Sequence, residues 1–429
     1  MNQAFRPVRL ASVTLLAALL AACGSSDNHN DRGAMKSTTQ TAAVPKASID
    51  ATVAAQPGLD QLIGAAAARC DVSVNRLIYD TRDPQDNDAE ASAGVLIPSG
   101  CTGPFPILVY HHGTSVLKAD TMSDPANGEM GLQMAMYAAQ GYVVVMPDYH
   151  GYSGSTLNYH PYLNAANTAV VSIDALRAAK KMVTDKGVAL SGKLFLAGYS
   201  QGGHAAMATQ RALEKDYRQE FTVTASVPMS GPYMLSQTVI DQVDNPAGQR
   251  MTLFAPMIFV GFQKAYGDVY ANPNEVFQSP WVNGIESLLP GALTGTQLFT
   301  QGKLPLAIRG PGGLLTDTFI NRFKTDATFP ARKRAVENDL LDFKPTAPTA
   351  LCAGARDPVV PAKNMITAVT YFASQGVQVT PVDVEQVPQF RSAIDAQVAA
   401  APDLSTYHAN IVLPLCASVA KNQFFDPRK

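Results

Sequence analysis

The sequence predicts an α/β fold, a mostly parallel central sheet flanked by helices, and three observations lead there. Short uninterrupted apolar runs recur along the chain, helical stretches separate them, and 46% of the 429 residues are hydrophobic against 16% charged, enough to bury a large core. Disorder of the whole chain is thereby excluded. With 33 basic and 35 acidic residues the formal charge is −2, so there is no cationic surplus to neutralise phosphates, and no nucleic-acid partner is expected.

The runs come in order. Residues 106–110 (Pro, Ile, Leu, Val, Tyr) stop at His111, His112 and Gly113, residues 142–146 stop at Pro147 and Asp148, and residues 193–197 stop at Gly198. Runs without polar alternation are what strands covered on both faces look like. Residues 223–229, 349–353 and 377–384 continue the series, and helices are expected over 131–140, 165–183, 203–213 and 362–374. Strand, helix, strand in succession implies right-handed crossovers.

The rhythm breaks over 236–344, which holds the only tryptophan, Trp281, the apolar run 251–262 and the cluster Gly310, Pro311, Gly312, Gly313. A largely helical cap is expected there, lying over one end of the sheet. Met257, Ile258, Phe259 and Val260 could face either a ligand or the cap's own core. The expected division is a signal at 1–22, a tether at 23–57, a core at 58–235 and 345–429, and the cap at 236–344.

Arg6 and Arg9 precede a largely apolar run of 13 residues, 10–22, too short to span a bilayer that needs about 20, so the segment reads as a signal peptide. Leu20, Ala21, Ala22 and Cys23 resemble the bacterial lipobox, which implies cleavage before Cys23 and a lipid on it. Residues 24–57 are mostly small and polar, and are expected to form a flexible tether. Gly24 stands where an aspartate would favour inner-membrane retention; the resemblance therefore implies the outer membrane, in a Gram-negative source. Export would place Cys70, Cys101, Cys352 and Cys416 in an oxidising compartment. The expected pairs are Cys70 with Cys101, around the N-terminal strands, and Cys352 with Cys416, around the C-terminal block.

The chemistry is expected at Gly198, Tyr199, Ser200, Gln201, Gly202, a GxSxG motif directly after an apolar strand and before a helix. A serine hydroxyl needs a base, and the base needs a third group to fix its tautomer. Of the histidines, His29 lies in the tether, His111, His112, His150 and His160 follow early strands, and His204 is on the helix leading away from Ser200. Only His408 lies beyond the late strand, where the chain order serine, acid, histidine requires the base. Asp357 follows a strand and precedes Pro358, which favours an extended backbone, and is the expected acid; Asp383 is the alternative. Oxyanion donors are expected from the N–H of Gln201 and that of Thr114, with Gly113 as the alternative.

These features resemble the α/β-hydrolases over about residues 70–420. The cap's position and the segment Pro147, Asp148, Tyr149, His150, Gly151, Tyr152 are similar to the secretory lipase group and related bacterial esterases. The early loop departs from other lipases and esterases, reading His, His, Gly, Thr in place of HGGG. The resemblance implies an eight-stranded, mostly parallel sheet, a cap inserted after the sixth strand, and a Ser, Asp, His triad. The expected function is an exported, lipid-anchored serine esterase or lipase acting on lipophilic esters, with no metal or organic cofactor. A serine peptidase of the same fold and a non-catalytic surface-binding lipoprotein are the rivals.

Overall fold

A computed structural model of the chain describes residues 32–56, 67–244 and 251–429; the signal segment, Cys23 and His29 lie outside the described residues. The strands are β1 Met35–Val44, β2 Asp71–Arg82, β3 Asp88–Ser99, β4 Phe105–His111, β5 Val143–Pro147, β6 Leu190–Tyr199, β7 Ala225–Met229, β8 Ala350–Ala353 and β9 Thr380–Asp383. They form one sheet in the order β1-β2-β3-β5-β4-β6-β7-β8-β9, nine strands among the described residues. From β5 to β9 every neighbouring pair is parallel, while β1, β2, β3 and β5 pair antiparallel. The apolar runs are the parallel strands; β4, β5, β7 and β8 are buried along their whole length.

The expected tether is overturned from residue 35 onward. β1 and the helix α1, Lys46–Ala54, occupy much of it, and β1 makes the sheet one strand wider than expected. A strand at a sheet edge needs few apolar side chains, because its backbone groups are satisfied by one neighbour. β1 pairs with β2 from Met35 to Val44, its Ser, Thr and Gln side chains lie in solvent, and Thr41 donates to Ser123 O at 2.8 Å. Arg32 fixes the start of this segment through Asp174 at 3.1 Å and the Tyr217 hydroxyl at 2.9 Å.

Helices cover both faces of the sheet: α2 Gly128–Met136, α3 Ala165–Asp185 and α4 Gln201–Lys215. Asparagine starts two of them, with Asn127 accepting from Met130 N and Asn164 from Asn167 N, each at 3.0 Å. Such caps satisfy a donor the helix cannot, worth ~1 kcal/mol each.

The insertion follows β7, the sixth strand when β1 is set aside. It contains α5 Leu235–Val243, α6 Met251–Tyr266, α7 Gly295–Thr300, α8 Asp317–Thr325 and α9 Pro330–Glu337. These helices share a core in which Phe259 packs against Phe319 and Phe323, with ring centroids at 4.8 and 5.8 Å. After β8 come α10 Lys363–Ser374, β9, α11 Arg391–Ala400 and α12 Leu413–Val419. Both expected disulfides are present, Cys70 to Cys101 and Cys352 to Cys416. The first joins the start of β2 to the end of β3.

Candidate active site

The C-terminal ends of β4, β6, β7 and β8 lie side by side because these strands are parallel, and each delivers part of the site. Ser200 follows β6 with φ 60° and ψ −119°, a left-handed conformation that costs a non-glycine residue strain. The turn survives because its flanks lack side chains. A Cβ on Gly202 would stand 1.9 Å from His111 O, and one on Gly198 2.1 Å from Gly202 O. The Ser200 N–H donates to Met229 O at 2.9 Å, which ties the turn to the end of β7.

Asp357 lies in the loop after β8. Its Oδ1 accepts from the N–H groups of Val359 (2.9 Å) and Val360 (3.1 Å), and its Oδ2 from the Ser230 hydroxyl (2.7 Å) and His408 Nδ1 (2.6 Å). Burial works to raise this carboxyl, but the His408 charge and the hydrogen bonds from His408, Ser230 and Val359 outweigh it and hold it below its ordinary value. With Nδ1 carrying the proton toward a carboxylate, Nε2 of His408 is left as the basic nitrogen. It is buried and has no hydrogen-bond partner among the described residues. The Tyr199 ring lies 4.6 Å from the imidazole, which sets His408 beside the chain neighbour of Ser200. His408 does not sit in a loop as expected; it opens a wide helical turn, His408–Val412, that runs into α12 and buries Ile411 and Val412.

Asp383, the alternative acid, is turned to another task. Its Oδ1 accepts from Ala355 N at 3.2 Å and Glu385 N at 3.0 Å, so it holds the loop that carries Asp357.

The segment after β4 is braced from four directions. Tyr149 donates to His112 O at 3.1 Å, Tyr152 to Ser115 O at 2.6 Å, and the Thr114 hydroxyl meets that of Tyr162 at 2.7 Å. The Gly113 N–H donates to the half-buried carboxylate of Glu129, 3.0 Å from Oε1, which also accepts from the Tyr110 hydroxyl at 2.7 Å. Gly113 is therefore not available as an oxyanion donor, whereas the Thr114 N–H has no partner among the described residues. Gln201, whose own N–H opens α4, is fixed by its side chain. His160 Nδ1 donates to His150 O, so its Nε2 accepts from the Gln201 amide at 2.7 Å.

Four further histidines are structural. His111 bonds Ala197 O and Thr209, His150 bonds Arg82 O, and His204 bonds Asn338 O. Burial pushes His111, His150 and His204 down to about 4 and His160 to about 3, so all four are neutral at pH 7. Glu129 and Ser230 were not anticipated. Ser230 ends an apolar strand just before Gly231 and Pro232, a position that hints at a site; Glu129 on α2 leaves no local trace.

A small pocket, about 40 Å³ in volume, opens at Ser200 and Gln201 and runs beneath the insertion. Leu235, Val239, Met251, Phe254, Ile258 and Val359 line it, so the apolar run in α6 serves both readings, with Ile258 toward the pocket and Phe259 in the cap core. No group of His, Cys, Asp or Glu able to hold a metal occurs among the described residues.

A serine on a strained strand-to-helix turn, at the end of a parallel sheet and under a helical insertion, invites comparison with known hydrolases. The crystal structure of the rice cell wall degrading esterase LipA from Xanthomonas oryzae matches with a TM-score of 0.82 and 34% identity, covering 93% of this chain and 100% of that one. The chain belongs to the α/β-hydrolase esterases and lipases. The family model described as secretory lipase matches residues 127–278, from α2 through α6 into the insertion. A hydrolase from Legionella pneumophila matches at TM-score 0.74 and 27% identity, covering 82% of this chain and 91% of that one. Candida antarctica lipase A, 16% identical with a TM-score of 0.57 over 82% of this chain and 77% of its own, shares the fold. No match was found among curated protein sequences. The family supports ester hydrolysis, and among the described residues no helix is long and apolar enough to cross a membrane.

Proposed function

We propose that this protein is an exported, lipid-anchored serine hydrolase that cleaves carboxylic esters through an acyl-enzyme. The observation that carries the reading is the buried, unpartnered Nε2 of His408, oriented by the 2.6 Å hydrogen bond from its Nδ1 to Asp357 and set beside the strained turn at Ser200. Nε2 takes the proton of Ser200 as Oγ attacks the acyl carbonyl carbon, forming the C–O bond of the tetrahedral intermediate. The same nitrogen returns the proton to the alcohol oxygen as the ester bond breaks. Water then repeats the two steps on the acyl-enzyme, releasing the acid and restoring Ser200. Asp357 stays ionised throughout and stabilises the imidazolium. The N–H groups of Thr114 and Gln201 receive the oxyanion, each worth ~3 kcal/mol to the transition state.

The apolar pocket favours a lipophilic acyl or aryl ester over a charged metabolite. The similarity to LipA, a rice cell wall degrading esterase, supports an ester of that kind of polymer as the natural target class. Turnover of short and long p-nitrophenyl esters, measured beside peptide amides, tests the reading. Ester hydrolysis with no amide cleavage is expected; amide cleavage would favour the peptidase, and no turnover of either would favour a binding protein.

The anchor is supported by Leu20, Ala21, Ala22 and Cys23, and by the secretory character of the matched family. A lipid on Cys23 would hold the enzyme on the cell envelope, at the outer membrane in a Gram-negative cell. Palmitate labelling of wild type and Cys23→Ser tests it, and equal label in both would refute it.

A further inference from the structure

We propose that Glu385 is a positioning residue for the hydrolysis, acting as a bridge that holds the acid-bearing and base-bearing segments in register. It rests on the reading of Asp357 and His408 given above. Glu385 lies in the short helical turn that follows β9, Val384–Gln386, and its carboxylate reaches both segments, Oε1 touching the two of them and Oε2 the acid-bearing one alone. Oε1 accepts from the hydroxyl of Tyr407, the residue before His408, and from the N–H of Arg356, the residue before Asp357, at 3.0 Å. Oε2 accepts from Arg356 Nε at 2.9 Å. One carboxylate thus links the immediate chain neighbours of the acid and the base.

The surroundings are built for this link. A Cβ on Gly354, at the end of β8, would stand 2.7 Å from the Tyr407 ring and its hydroxyl, so only glycine lets that ring lie across the start of the Asp357 loop. The Arg356 guanidinium sits 5.8 Å from the Tyr407 ring centroid, and Asp383 holds the N–H of Ala355. The Cys352–Cys416 bridge joins the same two segments, five residues before Asp357 and eight after His408. The disulfide sets the bases of the segments, and Glu385 sets their tips, where the 2.6 Å contact between His408 and Asp357 is made.

The bridge predicts a kinetic effect without loss of the fold. Glu385→Ala and Tyr407→Phe should each lower kcat about tenfold with KM within about twofold, because a misplaced base costs the transition state and not substrate binding. Rates are normalised to sites titrated with a fluorophosphonate, so unfolded protein does not count. The double variant should fall no further than either single, and Glu385→Gln, which keeps Oε1 as an acceptor for both donors, should recover most of the rate. The proton between His408 Nδ1 and Asp357, read by NMR far downfield, should weaken in Glu385→Ala. Additive losses, equal losses in Glu385→Gln and Glu385→Ala, or an unchanged kcat and proton signal would overturn the bridge. Ser200→Ala is assayed alongside: if it keeps turnover, the catalytic reading fails, whereas its inactivity with an unaffected Glu385→Ala removes the bridge alone.

Discussion

The Ser230 hydroxyl donates to Oδ2 of Asp357 at 2.7 Å, the same oxygen that accepts the hydrogen bond from His408 Nδ1 at 2.6 Å. Ser230 adopts φ 45°, and its N–H is held by Cys352 O at 2.7 Å, so the end of β7 is bent to reach the loop after β8. A carboxylate that must stay ionised while buried needs such donors, since each offsets part of the desolvation that favours the neutral acid.

Removing that donor is the first test. Ser230→Ala should raise the Asp357 carboxyl toward its ordinary value and lower kcat about three- to tenfold with little change in KM, as read from steady-state kinetics on p-nitrophenyl butyrate. Stability that the depressed carboxyl supplies is complete above the unfolded-state value and lost as pH falls through the folded one. The variant should therefore lose less stability than wild type on acidification.

Glu129 should matter for the oxyanion loop. Burial raises its carboxyl, opposed by the His112 charge and by hydrogen bonds from Tyr110 and Gly113. Glu129→Ala releases Gly113 and lets the Thr114 N–H drift, so kcat should fall about 10- to 100-fold while KM changes little. A loss confined to KM would contradict the role.

Four of the buried histidines set an acid sensitivity. His111, His150 and His204 protonate only near pH 4 and His160 near 3 in the folded state, against about 6.5 in the unfolded chain. Stability is therefore untouched by them above about pH 6.5 and falls as pH drops toward 4, because the unfolded state takes up the protons. Imidazole NMR at pH 5 should find all four neutral, and a charged form at any of these sites would contradict the burial described.

The two disulfides should separate by function. Loss of either should cost ~2–5 kcal/mol, measured by denaturant unfolding. Only Cys352→Ala with Cys416→Ala should also lower kcat in the folded fraction, because that bridge joins the segments of Asp357 and His408, while Cys70 and Cys101 join β2 and β3 far from Ser200.

What could be read from the sequence was what is encoded locally. The parallel strands appear as apolar runs because both faces are covered, and Ser200 appears because its turn demands glycines at fixed spacing. Cysteine pairing was legible because each pair brackets one block of the chain. β1 was not, since an edge strand is stabilised by backbone pairing and Ser, Thr and Gln outside do not distinguish it from a tether. The roles of Glu129, Ser230 and Glu385 were hidden for a different reason: each acts on a segment distant in sequence, and only the sheet order brings them together. Asp357 follows a strand and Asp383 ends one, and the choice between them depends on which β-strand lies next to β7. The structure puts β8 there, and Asp357 with it.

The most direct measurement is the intact mass and peptide map of the protein after treatment with a fluorophosphonate, for wild type, Ser200→Ala and His408→Ala. The account predicts one adduct on wild type, located at Ser200, none on Ser200→Ala, and labelling slowed by at least about a hundredfold on His408→Ala, since the serine then lacks its base. An adduct on Ser200→Ala equal to that on wild type, or one mapped to another residue, would contradict it.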